Sequence, residues 1–165
     1  MSSTIPTTPG QPAPKPAGDE VQSAPSAFVW TLDNLITEAR TALEARSHPQ
    51  GRYVNGRVVS VLRSPEYANA EHVAVGFSAI PPGASTEAHR HVAEEVVTVL
   101  SGSGFVRIDG EQFDLAAGSI IFTPSDSLHR TTATGTEPLV CLWVYSPAGS
   151  ENRWLSDAPV LDEGP

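Results

Sequence analysis

Three histidines and one glutamate have the spacing of metal ligands carried on short strands. His89 and His91 are two residues apart, so on a strand both imidazoles project from the same face. Glu95 keeps the same parity, and His129 follows a further strand and a proline turn, from which it can join the cluster from a neighbouring strand. Three neutral imidazoles and one carboxylate suit Fe, Mn, Ni, Zn or Co. The spacing therefore predicts one divalent transition metal held by these four residues.

The charge of such a site predicts what it binds. A divalent ion with one carboxylate ligand keeps a formal charge of about +1, and on an octahedral ion it leaves positions open for water or substrate. That charge favours anionic or enolisable oxygen ligands and makes the ion a Lewis acid. We therefore expect a small organic substrate that is oxygen-rich or anionic.

The same residues allow simpler interpretations. Paired histidines on a strand often belong to a solvated face, and His129 can be an ordinary loop histidine. Glu95 can be a surface carboxylate with Glu94 as the inward one, although Glu94 leaves only two residues after His91. His48 has no comparable partners, and we expect it on the surface.

Four further residues are candidates for contacting a substrate: Arg107, Tyr53, Arg57 and Trp143. Arg107 lies in an otherwise apolar strand, so its guanidinium can bind a substrate carboxylate with two hydrogen bonds or point to solvent from the outer face. The other three can line the mouth of a barrel, or belong to the core or a dimer interface, since aromatic residues bury large areas in any case. The sequence assigns no catalytic residue.

Short strand-like runs separated by turn residues carry these side chains. We predict strands at 57–62, 72–80, 95–101, 104–108, 119–123 and 139–145. Asp109-Gly110 is a strong hairpin signal, because both turn positions need positive φ. Many short strands without alternating helices indicate an antiparallel barrel or sandwich. The run at 139–145 is apolar on both faces, so we expect its outer face to pack against a helix or a second subunit.

The chain divides into a leader and one domain. Residues 1–26 hold six of the 15 prolines among Ser, Thr, Ala and Gly, and we expect them to be disordered because they cannot bury enough apolar surface. Residues 27–165 are predicted to form a single domain, with a helix at about 31–46 capped by Thr31, a barrel at about 53–147 and an irregular tail at 148–165.

Composition excludes several classes of protein. The 165 residues are 39% hydrophobic, which suits one core, and no run approaches the roughly 18 apolar residues that span a bilayer. The one cysteine, Cys141, excludes an internal disulfide framework and fits a reducing cytosol. A formal charge of −9 argues against non-specific nucleic-acid binding. We expect no secretory signal and a cytoplasmic protein that handles small molecules.

The motifs resemble those of the cupin superfamily. Its first motif has a Gly, five residues, His-x-His, three or four residues, a Glu, six residues and a Gly, and every spacing is met by Gly83, His89, His91, Glu95 and Gly102. Its second motif has a Gly, five residues, Pro-x-Gly, two residues, a His and an Asn four positions later. That motif is matched at Gly118, Pro124 and His129, with Asp126 in place of the second Gly and Ala133 in place of the Asn.

The resemblance implies a small single-domain metal-binding cupin, an all-β double-stranded β-helix of the jelly-roll type, to which the sequence adds the short N-terminal helix predicted above. Cupins include dioxygenases, decarboxylases, lyases, isomerases and non-catalytic binding proteins, so the fold alone does not select the reaction. The intact ligand set favours an enzyme. Our leading hypothesis is an Fe²⁺ dioxygenase; the alternatives are a redox-neutral lyase, isomerase or decarboxylase using Mn²⁺, Ni²⁺ or Zn²⁺, and a non-catalytic binding or sensing module. The resemblance also implies a homodimer.

Overall fold

A computed structural model describes residues 29–67 and 70–156 of the chain. The predicted leader at 1–26 and the last part of the predicted tail lie outside the described residues. Within them the chain forms a helix α1 (Leu32–Ala45), a short helix α2 (Asn152–Leu155) and nine strands. The strands are β1 (Gly51–Val54), β2 (Arg57–Arg63), β3 (Ala74–Ile80), β4 (Glu94–Ser101), β5 (Ser103–Ile108), β6 (Glu111–Ala116), β7 (Ile120–Thr123), β8 (His129–Ala133) and β9 (Leu139–Ser146). Neither described helix is long and apolar enough to cross a membrane.

The strands form two antiparallel sheets. One has six strands in the order β1-β2-β3-β9-β4-β7, and the other has three in the order β6-β5-β8. Isolated bridges at Ser85–Thr132 and His89–His129 place the segment after β3 along the free side of β8. Apolar side chains from both sheets meet in one core cluster, which includes Val99, Val106, Ile121 and Leu139. The all-β antiparallel architecture that the sequence predicts is therefore present.

Helix α1 covers the outer face of the six-stranded sheet. It begins where the sequence predicts, after Thr31, whose side chain accepts a hydrogen bond from the Asn34 amide at 3.3 Å. Its buried residues share one core cluster with residues of β2, β3 and β9; they are Leu35, Ala39 and Ala42. The second apolar face of β9 is thus packed against the helix, which was one of the two predicted arrangements.

His48, in the loop after α1, is half-buried with a side chain that is only 8% exposed, so the prediction that it lies on the surface is wrong. Its Nδ1 accepts hydrogen bonds from the Ser60 hydroxyl at 2.6 Å and the Gln50 amide at 3.2 Å. Its Nε2 donates to Glu38 of α1 at 2.9 Å, and its ring packs edge-on against Phe77. These partners come from a helix, a loop and a strand, so the sequence around His48 gave no indication of its burial.

Two hairpins have turns of the same type. Asp109 and Gly110 have φ of 48° and 90° and form the predicted hairpin turn, which joins β5 to β6. Asn55 and Gly56 have φ of 48° and 86° and join β1 to β2, a hairpin that the sequence reading missed although Asn-Gly is an equally strong signal. Strands β6 and β8 were also missed, because few of their side chains are buried and they lack a clear apolar alternation.

The only cysteine of the chain provides a test of the packing. Cys141 lies in β9 and is buried, and burial, with a contribution from the charge of Glu95, raises the pKa of its thiol to about 12. Because the thiolate is the reactive form, we expect a thiol reagent to modify the native protein only as fast as it unfolds. Labelling rates followed across a denaturant series would test this, and rapid modification in native buffer would contradict the packing described above.

Candidate metal centre

Three separate segments bring the predicted ligands together. His89 and His91 lie between β3 and β4, in an extended segment that is not a regular strand; only His89 forms a bridge, with backbone hydrogen bonds of 3.1 and 3.0 Å to His129. Glu95 is the second residue of β4, and His129 is the first of β8. All four side chains are buried. The solvated-face interpretation of these histidines therefore does not hold.

The three imidazoles form a compact cluster. One ring nitrogen from each histidine lies within 4.8 Å of the corresponding atoms of the other two, and the three residues together could hold a metal ion. The ring centroids are 4.3 Å apart for His89 and His129, and 4.8 Å apart for His91 and His129. Three imidazoles packed this closely away from water can share one bound cation through their ring nitrogens.

A backbone carbonyl fixes the orientation of each ring. The Nδ1 atoms of His89, His91 and His129 donate to the carbonyl oxygens of Glu87, Ala93 and Ser127, at 2.8, 2.8 and 2.9 Å. In each case the acceptor is two residues away along the chain. A proton on Nδ1 leaves the lone pair of the neutral ring on Nε2, which is the arrangement of histidines that bind a metal through Nε2.

The Glu95 carboxylate faces two of these rings. Its Oε2 is 3.4 Å from Nε2 of His129 and 3.6 Å from Nε2 of His91, and neither nitrogen has a hydrogen-bond partner among the described residues. Lone pairs that face each other at this separation need a cation between them, either a proton or a metal ion. Glu94, the alternative inward carboxylate, is exposed.

The ionisation states suit a metal ion. Burial raises the pKa of Glu95, but its contacts with His129 and His91 outweigh that effect and lower it to about 2. Burial and the proximity of His129 lower the pKa of His89 to about 3. For His129 the interaction with Glu95 outweighs burial and raises the pKa above its ordinary value. An ionised carboxylate beside the neutral imidazole of His89 fits a divalent transition metal, which would compete with the proton that Glu95 favours on His129.

The loop before His129 has the backbone conformation that its motif requires. Asp126, which replaces the expected Gly, has φ of 60°, a conformation that Asp tolerates better than most residues. Its amide donates to the carbonyl of His91 at 2.9 Å. This hydrogen bond connects the segment that precedes His129 to the segment that carries His91.

A cavity of about 50 Å³ lies beside the cluster. Besides His89, Glu95 and His129, its walls include Arg57, Trp143, Tyr145 and Trp154. Two of the four predicted substrate-contacting residues, Arg57 and Trp143, therefore line the cavity. Trp154 comes from α2, within the predicted irregular tail, and lies with its ring 6.2 Å from that of His89.

The other two predicted substrate-contacting residues, Arg107 and Tyr53, do not line this cavity. Arg107 is exposed on the outer face of β5, where its Nε donates to Gln112 at 3.2 Å. Its neighbours Val106 and Ile108 face the core, and alternation along the strand places Arg107 outside. Tyr53 is 37% exposed on β1 and does not line the cavity.

Sequence reasoning missed one buried residue of the site, Glu87. Its carboxylate accepts hydrogen bonds from Arg57 and from Asn55, and its backbone carbonyl is the acceptor for His89. Burial lowers the pKa of Arg57, and the charge of Glu87 partly offsets this effect. Glu87 lies two residues before His89 in the first motif, so the parity that picked out the histidines also applied to it.

Comparisons with known proteins agree with this architecture. Residues 76–145 match the family model described as the cupin domain. The chain is 35% identical over 77 residues to dimethylsulfoniopropionate lyase DddW of Ruegeria pomeroyi, covering 47% of this chain and 50% of that protein. It is 32% identical over 69 residues to a gentisate 1,2-dioxygenase of a Ralstonia species, covering 41% of this chain and 19% of that protein. The chain thus spans half or less of these two relatives.

A solved structure shows the same fold. The structure of a cupin 2 conserved barrel domain protein from Salinispora arenicola superposes with a TM-score of 0.53 at 22% identity, covering 63% of this chain and 87% of that one. At this level of identity the likeness concerns the fold alone. It agrees with the two-sheet barrel predicted from the motifs.

Replacing one histidine of the cluster tests whether it holds a metal. We expect His91→Ala to weaken Zn²⁺ binding by at least about a hundredfold, because it removes a ligand outright, whereas loss of an outer partner typically costs 10–100-fold. Competition with a chromophoric chelator would measure the affinity.

The matched control is His48→Ala, which removes another largely inaccessible imidazole outside the cluster. We expect it to lower the thermal unfolding temperature while it leaves Zn²⁺ affinity unchanged. Undiminished affinity in His91→Ala would show that the histidine cluster is not the metal site.

Proposed function

Residues 76–145 form a cupin domain, and from that premise we propose that the protein is a metal-dependent enzyme acting on a small, oxygen-rich or anionic organic substrate. One observation carries the proposal: three buried imidazoles, each fixed through Nδ1 to a backbone carbonyl, form a compact cluster beside a cavity, and one buried carboxylate faces two of them. A purely structural cluster has no need of a common orientation with the nitrogen lone pairs turned inward.

The proposed ligands are His89, His91, Glu95 and His129. Imidazole and carboxylate suit Fe²⁺, our first choice, and also Mn²⁺, Ni²⁺ and Zn²⁺. When bound, such an ion supplies a Lewis acid for substrate oxygens and, in the case of Fe²⁺, the capacity to react with O₂. The backbone carbonyls of Glu87, Ala93 and Ser127 hold the rings in place for it, so little reorganisation accompanies binding.

The aromatic residues that line the cavity shield it from water. Trp143 stacks on Tyr145 with ring centroids 4.8 Å apart, and Tyr145 packs against His91 at the same distance. These rings and Trp154 are buried, so they exclude water from one side of the cavity. Exclusion of water strengthens every electrostatic interaction inside the cavity.

Two reactions fit this arrangement. Oxidation by an Fe²⁺ dioxygenase is the leading form, supported by a ligand set that accepts Fe²⁺ and by the partial likeness to a gentisate 1,2-dioxygenase. A redox-neutral lyase is the second, supported by the partial likeness to dimethylsulfoniopropionate lyase DddW. A non-catalytic binding cupin is the competing class, and it would bind metal and ligand without turnover.

We further propose a cytoplasmic homodimer. The support for a dimer is a group of exposed apolar side chains on β6 and β7, which lie at the ends of their sheets: Phe113, Ile120 and Phe122. Exposed apolar groups of this kind are common where subunits associate.

Metal analysis combined with oxygen uptake tests the function. We expect about one metal ion per chain in the purified protein and, after anaerobic loading with Fe²⁺, O₂ consumption stimulated by one of a panel of small diols, enediols, phenols and hydroxy acids. The Zn²⁺-loaded protein and Fe²⁺-treated His91→Ala serve as controls without uptake.

The other outcomes of this experiment distinguish the lyase from the binding module. Product formation without O₂ uptake would favour the lyase, and ligand binding without turnover would favour the binding module. A chain that holds no transition metal under any loading condition would contradict the proposal as a whole.

A further inference from the structure

Arg57 is a buried cation in the wall of the candidate active site. It is the first residue of β2, is 1% exposed, and lines the same cavity as His89, Glu95 and His129. Its guanidinium carbon lies 4.9 Å from the centre of the Trp154 ring, so the indole covers it on one side. A guanidinium remains charged at any physiological pH, and burying it is unfavourable unless its donors are used.

The hydrogen bonds of Arg57 are incomplete. Nη2 donates to the Glu87 carboxylate, while Nε and Nη1 are buried and have no acceptor among the described residues. Buried donors in native proteins nearly always have a partner. The cavity beside Arg57 is where that partner can enter.

Glu87 holds the guanidinium and also orients a metal-ligand candidate. One carboxylate oxygen accepts from Arg57, and the other accepts from Asn55 in the β1–β2 turn. The backbone carbonyl of the same residue accepts from Nδ1 of His89 at 2.8 Å. The position of the guanidinium is therefore tied to that of the His89 ring through a single residue.

We propose that Arg57 binds the carboxylate of the substrate, with Glu87 as the positioning residue, so that the site takes a small monocarboxylic acid with a second oxygen for the metal. The inference rests on the proposed function for the metal half of the site. A carboxylate is the anion whose geometry a guanidinium matches best among small organic acids.

Size and charge define the substrate class further. A cavity of about 50 Å³ holds about three or four water-sized groups, which restricts the acid to a few non-hydrogen atoms. The charges of Arg57 and Glu87 cancel, and a divalent ion with Glu95 leaves a formal charge of about +1 in the site. That balance favours a monoanion over a neutral molecule and gives no compensation for a dianion.

Calorimetry on the Zn²⁺-loaded full chain tests the inference, with acetate and glycolate as ligands and acetamide and glycolamide as uncharged counterparts of similar size. We expect the carboxylates to bind at least about tenfold more tightly than the amides, since a charge-assisted hydrogen bond is about twice as strong as a neutral one. Arg57→Gln should abolish this preference while Zn²⁺ affinity stays within about twofold. Glu87→Gln keeps an oxygen acceptor beside Arg57 but removes the negative charge that cancels the guanidinium, so it should increase the preference for the carboxylates.

The matched control is Arg107→Gln, which removes an exposed arginine outside the cavity and should leave the preference intact. If Arg57→Gln keeps the preference with normal Zn²⁺ binding, the inference is overturned while the proposed metal function stands. If Arg57→Gln does not fold, Arg57→Lys replaces it: a weakened preference supports the inference, and an undiminished one overturns it, because lysine lacks the planar guanidinium.

The carboxylate site can also be tested if the protein binds no metal. If the wild-type chain binds no Zn²⁺, acetate and acetamide are titrated into the metal-free protein while the indole N–H resonance of Trp154, which covers Arg57, is followed by NMR. A shift with acetate alone that is lost in Arg57→Gln supports the carboxylate site without the metal. No shift, or an equal shift with acetamide, overturns it.

Discussion

The site depends on three hydrogen bonds from imidazole to backbone. Each histidine of the cluster is fixed by a carbonyl two residues away, so the positions of the Nε2 atoms follow from the path of the main chain rather than from free rotamers. The backbone must therefore be placed accurately in three segments, and the His89–His129 bridge, the Asp126 amide and the register of β4 provide that placement. Much of the barrel can be understood as the support for these three rings.

The second constraint is the burial of charge. Arg57, Glu87 and Glu95 all lie almost fully out of water, and buried ion pairs contribute little net stability because desolvation offsets their attraction. An apolar core of the same volume would serve the fold at least as well. The proposed ligand and metal ion would explain these charges, since a carboxylate would supply the acceptor that Arg57 lacks and a cation would neutralise Glu95.

The sequence predicted what is local and missed what depends on pairing between distant strands. The ligand spacing, the Thr31 cap and the Asp109-Gly110 turn are short-range features, and the structure places all of them where they were expected. Arg57 and Arg107 show the limit: both are arginines in apolar strands, and one faces the cavity while the other faces solvent. Which face of a strand is inside follows from its register with its neighbours, and a shift of one residue exchanges the two faces.

The residues that hold the proposed metal and those that would select the substrate come from different parts of the chain. The four proposed ligands and Glu87 lie within residues 76–145, the part that matches the family model, whereas Arg57 and Trp154 lie outside it, on β2 and α2. A relative that shares only the matched region can share the metal chemistry while it lacks the cation and the indole beside it. Similarity in that region therefore supports a reaction type, and the substrate must be argued from the flanking elements, because function resides in the groups that a fold carries rather than in the fold.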